Sequence, residues 1–172
     1  MISVKESMKV QESIDLVRAS RKDAKLLHSM QQKAFMPLYE KYHDDETNPA
    51  KESLERITEK TEENTSEFYI IKFMGEAVGG IRIQHRESKD VRGSVLRISP
   101  IFIIPEFQNK GIAQAVIKKV FELYQDAVIW KLDTIEQEPG NCHLYEKCGF
   151  IKTGGRHFIN ENMTLINYEK RV

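Results

Sequence analysis

Along the chain, runs that alternate apolar and polar positions trade places with runs whose apolar positions recur every three to four residues, without an internal repeat. "SIDLVRA", Ser13 to Ala19, sets Ile14 and Leu16 to one side with Asp15 outward, which predicts a first strand. Asp23 then caps "AKLLHSMQQKAFMPLYEKY", where Leu26, Leu27, Met30, Ala34 and Phe35 recur at helical spacing until Pro37 bends or ends the run. "ESLERITEKTEE" predicts a second, more charged helix. "EFYIIKF" and "EAVGGIRIQ", joined around Met74, Gly75 and Glu76, predict an antiparallel hairpin. After the turn "RESKDVRGS", "VLRISPIFII" makes a long strand. "GIAQAVIKKVFELYQ" follows as a helix with Ile112, Val116, Ile117, Val120 and Leu123 on one face and Lys118, Lys119 and Glu122 on the other. "AVIWKLDTI" is again a strand, and "PGNCHLYEKCGF" a short helix begun by Pro139 and stopped by Gly149. "IKTGGRHFI" and "MTLINYEK" close the chain as two strands turning at "NEN".

The resulting order is βααβββαβαββ. Only the connection from the long strand through the Ile112 helix to "AVIWKLDTI" has the form of a parallel crossover, so an α+β fold with a mixed, mainly antiparallel sheet is expected. A chain of 172 residues, 40% hydrophobic and 30% charged, suits one globular domain spanning residues 1–172. Lys+Arg and Asp+Glu both number 26, which argues against a nucleic-acid partner held by overall basicity. The opening "MISVKESMKVQES" has no apolar signal core, and no apolar run approaches the roughly 18 residues of a membrane span. Cys142 and Cys148 share one predicted helix and point about 240° apart around its axis, so no disulfide and a cytoplasmic location are expected.

The apolar run "IFII" of Ile101 to Ile104 ends in Pro105 and a short polar loop before the chain restarts as a helix through Gly111 and Ala113. A helix start leaves several N–H groups unpaired at the positive end of the helix dipole, so "QNKGIA" is suited to an anion. Gly111 and Ala113 leave room for a ligand to touch the backbone. The stretch is not a nucleotide P-loop, because no hydroxyl residue follows the Lys110–Gly111 pair, and it lacks the three glycines of a dinucleotide fingerprint. Taken alone it also fits an ordinary strand-to-helix turn.

Gln108-x-x-Gly111-x-Ala113 after an apolar strand, with "LYEKCGF" about thirty residues on, resembles the GNAT family of acetyl-CoA-dependent N-acetyltransferases. The resemblance extends along nearly the whole element order and implies a twisted, mostly antiparallel sheet of about seven strands flanked by about four helices. It implies that acetyl-CoA is the co-substrate and that no metal is needed. Its pyrophosphate would lie on the backbone N–H groups of Gln108, Asn109, Lys110, Gly111, Ile112 and Ala113. Its pantetheine arm would pair with Ile101 and Ile103 as though it were another strand, in a gap where the long strand splays from "AVIWKLDTI". Tyr145 matches the family tyrosine beside the sulfur, a general acid for the leaving thiolate; packing the helix on the sheet is the alternative role.

Two positions depart from the family pattern. Glu138 stands where many relatives have asparagine; Asn141, one turn before Tyr145, is a substitute for binding the cofactor, or simply a first-turn cap. Arg97 stands where some members place a glutamate as general base. The candidates that remain are Asp133, Glu136 and Glu138, each also readable as a surface carboxylate, and strand alternation puts Asp133 and Glu136 on opposite faces. A base matters because making an alkyl ammonium neutral at pH 7 costs about 3.4 pKa units, roughly 4.6 kcal/mol.

Between Asp44 and Glu67, nine acidic residues face Lys51, Arg56 and Lys60. In the resembled family this segment borders the acceptor pocket, which suggests a small cationic amine; a solvated acidic helix is the plainer reading. A peptide or protein amino group stays open as acceptor, as does a non-catalytic acyl-CoA-binding module. Cys142 beside His143 lacks a third group for nucleophilic chemistry, and His28, His43, His85 and His157 show no metal spacing. Trp130 reads as core or cleft wall, and the final strands offer an edge for a homodimer.

Overall fold

The structure is a computed structural model that describes residues 3–172. Its elements run α1 (Val4–Glu12), β1 (Ile14–Arg18), α2 (Ala24–Tyr42), α3 (Leu54–Glu62), β2 (Ser66–Phe73), β3 (Glu76–Arg86), β4 (Ser94–Ile103), α4 (Ile112–Leu123), β5 (Ala127–Ile135), α5 (Pro139–Lys147), β6 (Ile151–Asn160) and β7 (Met163–Arg171). The seven strands form one sheet in the order β1-β2-β3-β4-β5-β7-β6. Every pairing is antiparallel except β4 with β5, as the single crossover requires.

Three local expectations need correction. α1 is an additional helix; Ser3 and Glu6 cap it reciprocally, but it buries none of its residues completely, so its apolar signal is faint. Pro37 does not end α2, which continues to Tyr42. The last turns persist because Leu38 and Tyr42 pack against Ile135 and Met163, and that burial outweighs the hydrogen bond proline cannot donate. Leu26 and Leu123 fit their helical stripes but lie at the rims, 43% and 54% exposed.

The sheet is covered unevenly. On one face, α4 sets Ile112, Val116, Ile117 and Val120 against Ile81, Leu96, Ile98 and Leu132, and Trp130 is core. On the other, Leu27 and Met30 of α2 and Ile57 of α3 cover Phe68, Ile70 and Phe102. The end of α2 then reaches a separate cluster with Ile135 and Met163. α2 therefore bridges the β2–β4 half of the sheet and the β5–β7 half.

Between those halves the sheet forks. β4 pairs with β5 only from Ser94 to Arg97, against Ala127 to Lys131. Further on, β4 stays with β3 and β5 with β7. A bulge turns β4 aside: Ile81 pairs with Ile101 and Ile83 with Ile98, so Arg82 alone opposes both Ser99 and Pro100. Arg82 is buried there. Its Nη2 meets Glu63 Oε2 at 2.5 Å, its Nε donates to Ser66 Oγ at 3.1 Å and its Nη1 to the Ser99 carbonyl at 3.4 Å. Beyond the bulge, a Cβ on Gly79 would lie 2.0 Å from the Phe102 carbonyl oxygen, so this close approach of β3 to β4 needs glycine.

Candidate active site

The loop after β4 presents bare amides. A short 3₁₀ turn at Pro105–Phe107 leads into it, and Asn109 (φ 59°) and Gly111 (φ 79°) both adopt left-handed backbone. Such alternation turns successive N–H groups toward one concavity. Gly111 caps α4 with no side-chain bond, and the first helical bond is Ala115 N–H to the Gly111 carbonyl at 3.1 Å. The N–H groups of Asn109, Lys110, Gly111, Ile112 and Ala113 therefore have no backbone acceptor among the described residues. Gln108 differs from expectation. Its N–H donates to the Pro105 carbonyl at 3.2 Å and its Nε2 to the Ile103 carbonyl at 2.8 Å, so it ties the loop to β4 and lends no amide to an anion. Five amides at a helix start fit a diphosphate.

The fork continues this cradle. Ile104 N–H donates to the Val78 carbonyl at 2.8 Å, so along β4 the polar groups of Ile104 and Phe102 point to β3. Those of Ile101 and Ile103, one residue out of step, point to the open side. The Ile103 carbonyl already accepts from Gln108, while both polar groups of Ile101 and the Ile103 N–H face the gap.

Across the fork, α5 carries Tyr145. Its ring packs edge-on to Phe150 at 6.2 Å and tilted on Tyr168 at 6.3 Å, and its hydroxyl has no partner among the described residues. Burial, and then the neighbouring Cys148 and Cys142, raise its pKa, so the phenol is protonated at neutral pH. Both cysteines are free and buried, with the Cys148 thiol pushed up by burial against the pull of Lys118 and Lys170. His143 is exposed, so it and buried Cys142 do not share a site. Asn141 lies partly buried one turn before Tyr145.

Each of the three carboxylates considered as base is already engaged. Asp133 accepts from Arg97 Nη2 and from Asn167 Nδ2. Glu136 meets Arg156 Nη2 at 2.6 Å. Glu138 accepts from Lys41 Nζ and Tyr42 Oη, both at 2.6 Å. Burial works to raise the Glu138 pKa, but the bonds from Lys41 and Tyr42 win and hold it below the usual carboxylate range. Glu138 thus fastens the end of α2 to the start of α5.

The acidic segment is also largely paired. Buried Asp44 folds its own loop, with Oδ1 accepting from the N–H groups of Glu46 at 3.0 Å and Thr47 at 2.9 Å. Glu59, Glu62, Glu63 and Glu67 pair with arginines. A cavity of about 240 Å³ lies between this loop and the β4 bulge, with Asp45, Glu46, Lys51, Glu52, Lys60 and Pro100 on its walls; Asp45 accepts from Tyr39 Oη at 2.8 Å and Glu46 Oε1 lies 3.4 Å from His157 Nε2. Glu52 is paired with Lys60 and accepts from Gln31 Nε2 at 3.1 Å, while burial lowers the Lys60 pKa against the raising influence of Glu52. Gln31 escaped the sequence reading although a signal existed: it sits one turn after Leu27, a polar residue on an apolar stripe. Arg82, inside an apolar strand, gave the same kind of signal.

A fork lined by unpaired strand groups and ending at free amides accommodates a long ligand, extended and amide-rich at one end and doubly phosphorylated at the other. That shape matches coenzyme A, and with it the class of acyl-CoA-dependent transferases. Residues 27–150 match the acetyltransferase (GNAT) family, and the chain belongs to that family of acetyl-CoA-dependent N-acetyltransferases. Solved structures agree on the fold. A Vibrio cholerae spermidine N-acetyltransferase in complex with CoA and spermine is 20% identical, with 93% of this chain and 96% of that one covered at TM-score 0.70. An acetyltransferase from Thermus thermophilus is 16% identical, covering 93% of this chain and 97% of that one at TM-score 0.70. A microcin C7 self immunity acetyltransferase in complex with acetyl-CoA and AMP is 17% identical, covering 95% of each chain at TM-score 0.70. No described helix is long and apolar enough to cross a membrane, and among the described residues no group of three or more His, Cys, Asp or Glu is placed to hold a metal.

Proposed function

We propose that this protein, acting as one domain, acetylates a primary amine of a small cationic molecule by direct attack within a ternary complex. The observation that carries the reading is the fork of β4 and β5 running into five free amides at Gly111. Acetyl-CoA supplies an acyl group already activated as a thioester. Asn109, Lys110, Gly111, Ile112 and Ala113 hold the diphosphate, and Ile101 and Ile103 hold the arm by strand-like bonds. Asn141 steadies the arm from α5. A backbone N–H of this strand near Ile103 donates to the acyl oxygen as negative charge builds there. Tyr145, kept protonated by burial, gives its proton to the departing sulfur.

The ammonium proton leaves through water to Glu136. Among the three carboxylates its side chain is the most exposed, at 34%, and its partner Arg156 is itself 61% exposed and so a weak hold. The acceptor enters beside the bulge. Asp45, Glu46 and Glu52 against Lys51 and Lys60 leave that cavity wall with one more carboxylate than ammonium, which favours a cation. A fold neighbour crystallised with CoA and spermine lends the same class indirect support.

The test is a panel of mono-, di- and polyamines, neutral and acidic amines, and a peptide, each with acetyl-CoA, read as free thiol. Diamines and polyamines are expected to react fastest. Reaction with the peptide or with neutral or acidic acceptors alone overturns the cationic reading, and CoA binding without turnover on any acceptor overturns the enzyme.

A further inference from the structure

At the apex of the fork a side-chain bridge takes over from the backbone ladder. The last β4–β5 pair is Arg97 with Lys131. Arg97 then reaches over the gap to Asp133, two residues beyond that pair on β5. It is the one ion pair among the described residues that crosses from β4 to β5. The opposite oxygen of Asp133 accepts from Asn167, which stands directly across from it on β7. Asn167 in turn fits only because β6 carries glycine there: a Cβ on Gly155 would lie 1.8 Å from Asn167 Oδ1. The tie therefore has backing through three strands on its β5 side.

Each strand of the fork is otherwise held on its outer side. β4 is shaped by the bulge opposite Arg82, and β5 by β7 and by the packing of Ile135 under α2. Both oxygens of Asp133 already have donors, one from β4 and one from β7, and that placement between two strands suits it to be a strut.

We propose that Arg97 and Asp133 are positioning residues that set the width of the fork, so that they govern acetyl-CoA affinity without taking part in acyl transfer. The inference rests on the fork being the cofactor site. Both side chains are about one-quarter exposed, at 24% each, so water and salt weaken the pair, and a moderate effect is expected.

The test uses the full chain with CoA itself as the calorimetric probe, together with steady-state thiol release. Arg97→Gln and Asp133→Asn should each raise the Kd for CoA and the KM for acetyl-CoA about tenfold, with kcat within threefold of the parent. The double variant should be no worse than either single one, because both break the same tie. Arg97→Lys, which keeps the charge and loses the fork of donors, should weaken CoA about threefold. Exchanging the charges, Arg97→Asp with Asp133→Arg, should recover most of the affinity. A kcat drop of tenfold or more with unchanged CoA affinity makes Asp133 a base and overturns the proposal. A lower melting temperature with unchanged Kd reduces the pair to scaffold and also overturns it. If a neutral variant does not fold, Arg97→Lys decides alone, and parental affinity there overturns the proposal. Absence of CoA binding by the parent protein removes the cofactor reading itself, and this inference with it.

Discussion

Replacing Tyr145 by Phe deletes one oxygen from a packed aromatic cluster. The ring keeps its contacts with Phe150 and Tyr168, and the hydroxyl has no partner among the described residues, so no buried group is left unpaired by its loss. Stability and CoA affinity should therefore stay within about 0.5 kcal/mol of the parent, the ordinary range for a change that disturbs no packing or network. The chemical step should suffer, because a positioned acid is worth about 10² to 10⁴ in rate, or roughly 3 to 5 kcal/mol of barrier. Burial raises the pKa of Tyr145, so the parent enzyme should show no loss of its acid through the neutral range. The assay pairs single-turnover acetyl transfer with calorimetry of CoA and thermal melting. If kcat stays within threefold of the parent, Tyr145 is packing only. If kcat falls but CoA affinity and melting temperature fall comparably, the loss is structural, and the acid role fails as well.

Glu136→Gln should lower kcat/KM about tenfold at pH 7 and progressively less as pH approaches the acceptor's own pKa; a pH-independent defect would remove Glu136 as proton acceptor. Gly111→Ala places a side chain at φ 79°, costing about 1 to 2 kcal/mol in stability, and crowds the amides, so CoA binding by calorimetry should weaken about tenfold or more; unchanged affinity refutes the cradle. Glu138 has its native pKa held below the usual 4.5, so its contribution to stability is present above that value and is lost as pH falls through the lowered native one. Melting curves from pH 6 to 3 should therefore be flatter for Glu138→Gln than for the parent, and parallel curves would show that the link to Lys41 and Tyr42 carries no stability.

Most of the architecture was legible in the chain because periodicity is a local property. Alternation in "EFYIIKF" and "EAVGGIRIQ" places a hairpin at Met74–Gly75 whatever else the protein does, and a helix beginning at Gly111 leaves its first amides open because their acceptors would have to lie three or four residues earlier. The same locality explains the lapses. α1 has a readable Ser3–Glu6 cap but too little apolar face to attract notice, and Pro37 reads as a bend or a stop until the distant Ile135 and Met163 are seen beneath the last turn of its helix. Gln108 was legible as part of a motif, yet its turned-in amide depends on the shape of the 3₁₀ turn before it.

Which carboxylates are free is a different kind of fact. Arg97 meets Asp133 across 36 residues, Lys41 meets Glu138 across 97, and Arg82 meets Glu63 across 19, on elements whose adjacency no local pattern announces. Amide availability at a helix start is decided within one turn of chain, so the sequence alone determined which amides stay without a backbone partner. The state of a charged side chain is decided by whatever partner folding brings within a few ångströms, because Coulomb attraction and desolvation act through space and not along the chain; only the tertiary structure could separate struts from candidate bases.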